Sequence, residues 1–191
     1  MTTPKRVIVF IDGSNSYFAL KSTRGSANID FAYLVRQIVG PERELVRVYY
    51  YNAPVNREEV PDQYKSQQKF FAALQALDFF EVKLGYLARR PQSGAIVEKG
   101  VDVKLAVDMV ALAAKNLYDV GVLISADGDF ADAVQHVKDM GKHVEVAYPS
   151  AHGIYHLKQA CDKFILLDDS YLRSRPWPTC SGGGVPNHLD S

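Results

Sequence analysis

The chain has 191 residues, about one domain by length, and 47% of them are hydrophobic, which suits a soluble globular protein with a substantial core and not a disordered one. Lys plus Arg and Asp plus Glu both number 22, so net charge does not select nucleic acid, and a polyanion would have to meet a local basic patch. Cys161 and Cys180 lack metal-ligand spacing, which argues for two free thiols in a reducing compartment.

Strands and helices alternate along the chain. Residues 6–11 form an apolar strand too short for a signal segment or a membrane span, so a cytoplasmic protein is expected. Residues 14–20 open a helix and 22–28 read as loop; Asp30 caps a helix over 31–39 that Gly40-Pro41 stops. A Val- and Tyr-rich strand over 45–51 ends at Asn52-Ala53-Pro54. The next helix covers 61–77, with Phe70, Phe71, Leu74 and Leu77 as its apolar stripe.

A third strand spans 79–87, and the polar run 88–99 reads as a mobile loop. The longest apolar helix pattern, 101–117, suits a buried position and leaves room for a homodimer. Val122, Leu123 and Ile124 form a strand buried on both faces, which ends in Ser125-Ala126-Asp127-Gly128-Asp129 before another helix. Strand 144–148, a short helix over 154–160 and a last strand over 164–167 complete the domain. This order predicts an α/β three-layer sandwich with a central, mainly parallel sheet. The domain covers 1–169, and 170–191, with its prolines and Gly182-Gly183-Gly184, reads as a disordered tail.

Acidic residues follow two of the strands. Asp12 ends the first and the Asp127 and Asp129 pair follows the fourth, so parallel strands bring them to the carboxyl edge where open α/β sheets bind ligands. Asp102, in the first turn of the apolar helix, is a fourth candidate. Each also has a purely structural reading: Asp102 suits the helix dipole, and the Asp-Gly pairs suit turns and caps. Taken together they suggest a metal site. Clustered carboxylates raise one another's pKa unless a cation intervenes, and oxygen donors without paired His or Cys favour Mg²⁺ or Mn²⁺ over zinc. Such a pocket suits phosphodiester hydrolysis. No Walker loop or Gly-x-Gly-x-x-Gly turn is present, which disfavours nucleoside triphosphates and dinucleotides.

Three blocks, Val-Ile-Val-Phe-Ile-Asp-Gly-Ser-Asn at 7–15, Glu-Lys-Gly-Val-Asp-Val-Lys-Leu-Ala-Val-Asp-Met at 98–109 and Ser-Ala-Asp-Gly-Asp-Phe at 125–130, resemble the signature blocks of NYN domains in the PIN-like nuclease superfamily. The likeness is greatest to the bacterial LabA-like branch, and it runs from about Arg6 to Asp168. It implies a PIN-like, Rossmann-like sandwich and a Mg²⁺- or Mn²⁺-dependent ribonuclease site. By position, Asp12, Asp102, Asp127 and Asp129 match the family's acids, Asn15 the Asn that helps hold the site, and Ser125 the small hydroxyl residue before the Asp-x-Asp pair.

The expected function is therefore metal-dependent hydrolysis of RNA, single-stranded by preference. Lys99 is a candidate to neutralise a phosphate. Arg57, Lys65, Lys69, Arg89 and Arg90 are weaker candidates to grip the RNA backbone, and Tyr17, Phe18, Tyr49, Tyr50 and Tyr51 are weaker candidates to stack bases, with core packing expected of most of those rings. Asp108 is read either as a surface partner of Lys104 or as a support to the site. Of the histidines, His152 alone is placed on the active edge. The alternatives are a non-catalytic RNA- or protein-binding regulatory module of the same fold, and a small-molecule phosphatase using the same acids.

Overall fold

A computed structural model describes residues 3–89, 96–150, 152–175 and 177. Six strands, β1 (Lys5–Asp12), β2 (Arg43–Asn52), β3 (Phe80–Leu84), β6 (Val120–Ile124), β7 (His143–Tyr148) and β8 (Lys163–Leu166), pair in the order β3-β2-β1-β6-β7-β8, all parallel. The helices are α1 (Gly13–Arg24), α2 (Phe31–Val39), α3 (Pro61–Gln75), α4 (Val101–Ala114), α5 (Ala131–Asp139) and α6 (Tyr155–Ala160). A two-stranded antiparallel ribbon, β4 (Tyr86–Arg89) with β5 (Ile96–Lys99), stands outside the main sheet.

The two-residue period of β1 explains the layers. Val7, Val9 and Ile11 face one core with Leu34, Ile38 and Leu74 of α2 and α3. Ile8 and Phe10 face a second core with Leu105, Met109, Val134 and Leu157 of α4, α5 and α6. A strand covered on both sides needs apolar residues at successive positions, and β1 supplies them from Val7 to Ile11. The result is the expected α/β sandwich with a PIN-like layout.

The topology selects the site. From β1 the chain builds outward to β2 and β3, then returns to lay β6, β7 and β8 on the other side. The turns after β1 and β6 therefore leave the sheet beside each other, opening a crevice at their carboxyl ends. Ile11 pairs with Ile124, so Asp12 and Ser125 emerge at the same level.

Local signals held in several places. Asp30 Oδ1 accepts the Tyr33 N–H at 3.0 Å, and Gly40 ends α2 with φ of 70°. Other boundaries moved. Helix α1 continues to Arg24 through residues expected as loop, and α4 stops at Ala114, with Asn116 left-handed beyond it. Helix α4 is not buried all round, because Val103 and Val107 face outward.

Two larger differences concern segments expected to lack structure. Residues 88–89 and 96–99, expected in a mobile loop, belong to the β4–β5 ribbon, while 90–95 lie outside the described residues. The third strand does not run through to 87: Gly85 separates β3 from β4, and the second half pairs with β5 instead of β2. In the C-terminal segment, Leu172 and Trp177 are buried against the domain, and the Trp177 indole N–H donates to the Ile29 carbonyl at 2.7 Å. The expected tail thus begins with residues docked on the core; 178–191 lie outside the described residues.

Gly13, the first residue of α1, shows how closely this edge is packed. A Cβ there would lie 2.6 Å from the ring carbon Cζ and the hydroxyl of buried Tyr50. Helix propensity alone favours Ala over Gly by about 1 kcal/mol, but overpacking against a buried ring costs about 1–3 kcal/mol. Gly13→Ala is therefore expected to lower stability, measured by urea unfolding; an equal or higher midpoint would show that the Tyr50 ring moves freely.

Candidate functional site

Asp12 is the last residue of β1 and the N-cap of α1, and it is only 4% exposed. Its Oδ1 accepts the Asn15 N–H at 3.1 Å and its Oδ2 accepts the Ser125 hydroxyl at 3.0 Å. Asn15 in turn uses its side-chain oxygen to accept the Ala126 N–H at 3.0 Å, so the turns after β1 and β6 are laced together in both directions. Ser125 Oγ also accepts the Asp127 N–H at 3.1 Å. Asp127 Oδ1 accepts the Asp129 N–H at 3.0 Å and caps the single helical turn Gly128–Phe130.

A cavity of about 300 Å³ opens at this edge. Asp12, Asp102 and Asp127 line it, with Asn15 and Lys99. Ser125 is fully buried beneath it, and Asp129 is an exposed residue outside the lining whose charge still reaches Asp102. Gly100, in the left-handed conformation with φ of 79°, turns the chain from β5 into α4 and presents Asp102 in the first helical turn.

Burial pushes the Asp12 carboxyl up to about 6, against the lowering effect of its two hydrogen bonds, and the negative charges of Asp102 and Asp127 push the same way. The Asp102 carboxyl is also raised, first by partial desolvation at the cavity wall and then by Asp127 and Asp129. The acids therefore sense one another's charge. Among the described residues, however, no group of three or more His, Cys, Asp or Glu side chains is drawn together closely enough to hold a metal ion.

Ser14, Gly100 and Val101 line the cavity without having been expected there. Phe18, one of the weaker stacking candidates, lines it too and is 57% exposed. Phe18 had a usable signal: it follows Ser14 by four positions and Asn15 by three, which puts all three on one helical face. His156 is outside the lining, but a Cβ added at Gly128, between the two paired acids, would lie 3.5 Å from its Cβ.

Asp108 is not among the lining residues: it accepts from the Tyr51 hydroxyl and from Lys83 Nζ, both at 2.8 Å, while Lys104 Nζ turns to the Leu84 carbonyl. Its surface pairing with Lys104 is therefore corrected, because this side of α4 faces β2 and β3. Tyr50 and Tyr51 are core residues, as most of the rings were expected to be. Arg57, Lys65, Lys69 and Arg89 are not in the lining, and Arg90 lies outside the described residues.

The NYN domain model matches residues 6–168, most of the chain. The chain belongs to the NYN domain family. NYN domains have a nuclease-like fold and are in general nucleases, and NYN and PIN-like nucleases typically use divalent metals. This NYN domain protein is similar to the Low amplitude and bright protein LabA of Synechococcus elongatus, with 26% identity covering 93% of this chain and 94% of that one. Its fold is also that of a protein of unknown function from Vibrio parahaemolyticus whose crystal structure matches with a TM-score of 0.69, 24% identity, and coverage of 91% of this chain and 100% of the other.

The raised Asp12 carboxyl has a consequence for stability. An acid that holds its proton more tightly folded than unfolded stabilises the protein below its unfolded pKa near 3.8, and that contribution is lost as pH rises through about 6. The loss amounts to about 2–3 kcal/mol. In chelator, Asp12→Asn is expected to flatten the fall in stability between about pH 4 and 6 and to be at least as stable as the parent at neutral pH, measured by denaturant unfolding across pH; an unchanged slope would place the titration elsewhere.

Proposed function

We propose that this NYN domain is a metal-dependent ribonuclease that hydrolyses phosphodiester bonds in single-stranded RNA. The observation that carries the reading is the convergence of Asp12, Asp102 and Asp127, from three separate parts of the chain, on one cavity at the switch point of the sheet. The donor chemistry suits Mg²⁺ or Mn²⁺: every candidate ligand is an oxygen, and the carboxyls of Asp12 and Asp102, raised first by burial and then by neighbouring acids, would be relieved by a cation. Mg²⁺ is commonly held by one or two carboxylates, with waters and substrate phosphate completing its shell, so a site of this kind does not require three carboxylates at ligating distance.

In this reading Asp12, Asp102 and Asp127 hold the ion, and Asp129 completes the set from the edge. The ion, when bound, supplies water activation and neutralises charge on the scissile phosphate. Asn15 and Ser125 keep Asp12 aimed into the cavity, and Ser125 also fixes the Asp127 backbone. Lys99 offsets the phosphate charge at the opposite end of the acidic cluster's lining segment, before Gly100. The cavity is at the small end for ligand pockets, which suits one nucleotide of a flexible strand better than a duplex. We assign the protein to the cytoplasm; among the described residues no helix is long and apolar enough to cross a membrane.

A second reading is a non-catalytic RNA- or protein-binding regulatory module, active as a homodimer or with a protein partner. It is favoured by the lack, among the described residues, of three acids at metal-holding distance.

Labelled single-stranded RNA incubated with Mn²⁺ is expected to be cut, with chelator stopping the reaction. Asp127→Asn is expected to reduce cleavage by at least about 100-fold without changing the far-ultraviolet circular dichroism or the melting temperature. Binding of RNA without cleavage under the same conditions would favour the regulatory module, and phosphate release from mononucleotides alone would favour a phosphatase.

A further inference from the structure

The exposed aromatic residues beside the acidic cavity have no part in the core. Phe18 is 57% exposed and lines the cavity with Lys99 and Gly100. Tyr86, at the base of the β4–β5 ribbon, is 60% exposed. Its ring lies against Gly100, where an added Cβ would come within 3.2 Å of Tyr86 Cε1. Phe18 thus lines the cavity itself, while Tyr86, outside the lining, packs on Gly100 of its wall.

Each ring is held in place. Tyr86 pairs in register with Lys99 across the ribbon. The residue before it, Gly85, packs so closely on the start of α4 that a Cβ would lie 2.6 Å from the Lys99 carbonyl and 2.7 Å from Val101 Cγ2. The ribbon is therefore seated on the cavity wall, and Tyr86 with it. Phe18 is braced edge-to-face by Tyr17 at 5.6 Å between centroids, and Tyr17 carries the Lys21 ammonium 5.9 Å from its ring centre.

A single exposed ring on a protein surface needs no explanation. An anchored ring in a polar cavity, with a second exposed ring packed on the Lys99–Gly100 wall, does, because their apolar faces sit in water beside charged groups. A ligand that satisfies this wall has flat apolar faces joined to an anion. An unpaired nucleotide has that chemistry: its base stacks on aromatic rings and its phosphate meets a cation and the acidic centre. A base inside a duplex has its faces already covered and offers none of this.

We propose that Phe18 and Tyr86 are nucleobase-stacking platforms of the acidic cavity, with Lys99 receiving the adjoining phosphate, so that the site selects single-stranded nucleic acid by its unpaired bases. The proposal rests on the phosphodiester reading of the site and adds the residues that hold its substrate.

The test uses the full chain carrying Asp127→Asn, titrated with single-stranded RNA containing 2-aminopurine, and with the matching DNA, duplex and abasic strands. Binding with a change in 2-aminopurine emission is expected for the single strands; RNA and DNA strands behaving alike would mean that the sugar is not read, and both results agree with stacking. Phe18→Ala and Tyr86→Ala are each expected to weaken binding by roughly 5- to 50-fold and to reduce the emission change, while Phe18→Trp and Tyr86→Phe retain both. Both rings are exposed, so the melting temperature of the alanine variants serves as a check on folding. An abasic strand should bind the parent as weakly as the intact strand binds Phe18→Ala. Alanine variants that bind and change the emission like the parent would overturn the proposal, as would equal affinity for the abasic strand or no binding at all. The two readings fail separately: stacking without cleavage by the unsubstituted chain removes the nuclease alone, and cleavage indifferent to both alanine substitutions removes the platforms alone.

Discussion

The carboxylate of Asp12, held between the Asn15 N–H and the Ser125 hydroxyl, joins the two halves of the sheet at the point where the chain reverses its direction of winding. Neither half alone could keep that group in place. The turn after β1 offers a backbone donor, the turn after β6 offers a hydroxyl, and Asn15 returns an acceptor to Ala126. A buried carboxylate left without such partners costs several times what one hydrogen bond returns. The rigid lacing of these turns is therefore what allows a charged group to sit at 4% exposure on the edge of an apolar sheet.

The same arrangement leaves an electrostatic imbalance. Hydrogen bonds lower the Asp12 pKa, but burial and the charges of Asp102 and Asp127 outweigh them. Among the described lining residues Lys99 is the cation. Other acids in the fold are treated differently. Asp119 receives Arg6 and is lowered to about 2, and Asp108 receives Tyr51 and Lys83. Asp119 and Asp108 are each paired with a cation, while Asp12 and Asp127 accept from neutral donors and Asp12 and Asp102 are raised by neighbouring acids. The proposed metal-dependent reading rests on that contrast more than on the number of acids.

The β4–β5 ribbon extends the site beyond the sheet edge. It leads directly into Gly100 and the first turn of α4, so the segment carrying Lys99 and Asp102 is set by a contact made far from β1 and β6. Gly85 and Gly100 make that contact possible, the first by close approach to Lys99 and Val101 and the second by its left-handed backbone.

The sequence by itself determined the layered α/β architecture, the caps at Asp30 and Gly40, and the edge to which Asp12 and Asp127 would come. Those features follow from local periods and turn chemistry: β1 is apolar from Val7 to Ile11 because both its faces are covered there, and parallel strands end on a common side. The matching blocks at 7–15, 98–109 and 125–130 identified the family for the same reason, since each is continuous in the chain. Tertiary structure decided what depends on pairing between distant residues. The ribbon was hidden because its cross-strand pairing, Leu87 with Glu98 and Ala88 with Val97, leaves no clear alternation in either strand alone. The docking of Trp177 rests on one carbonyl, that of Ile29, and on Phe31 and Phe70. The exposure of Phe18, the partners of Asp108 and the place of Asp102 in the cavity lining were likewise set by how helices lie on the sheet, which no period along the chain encodes.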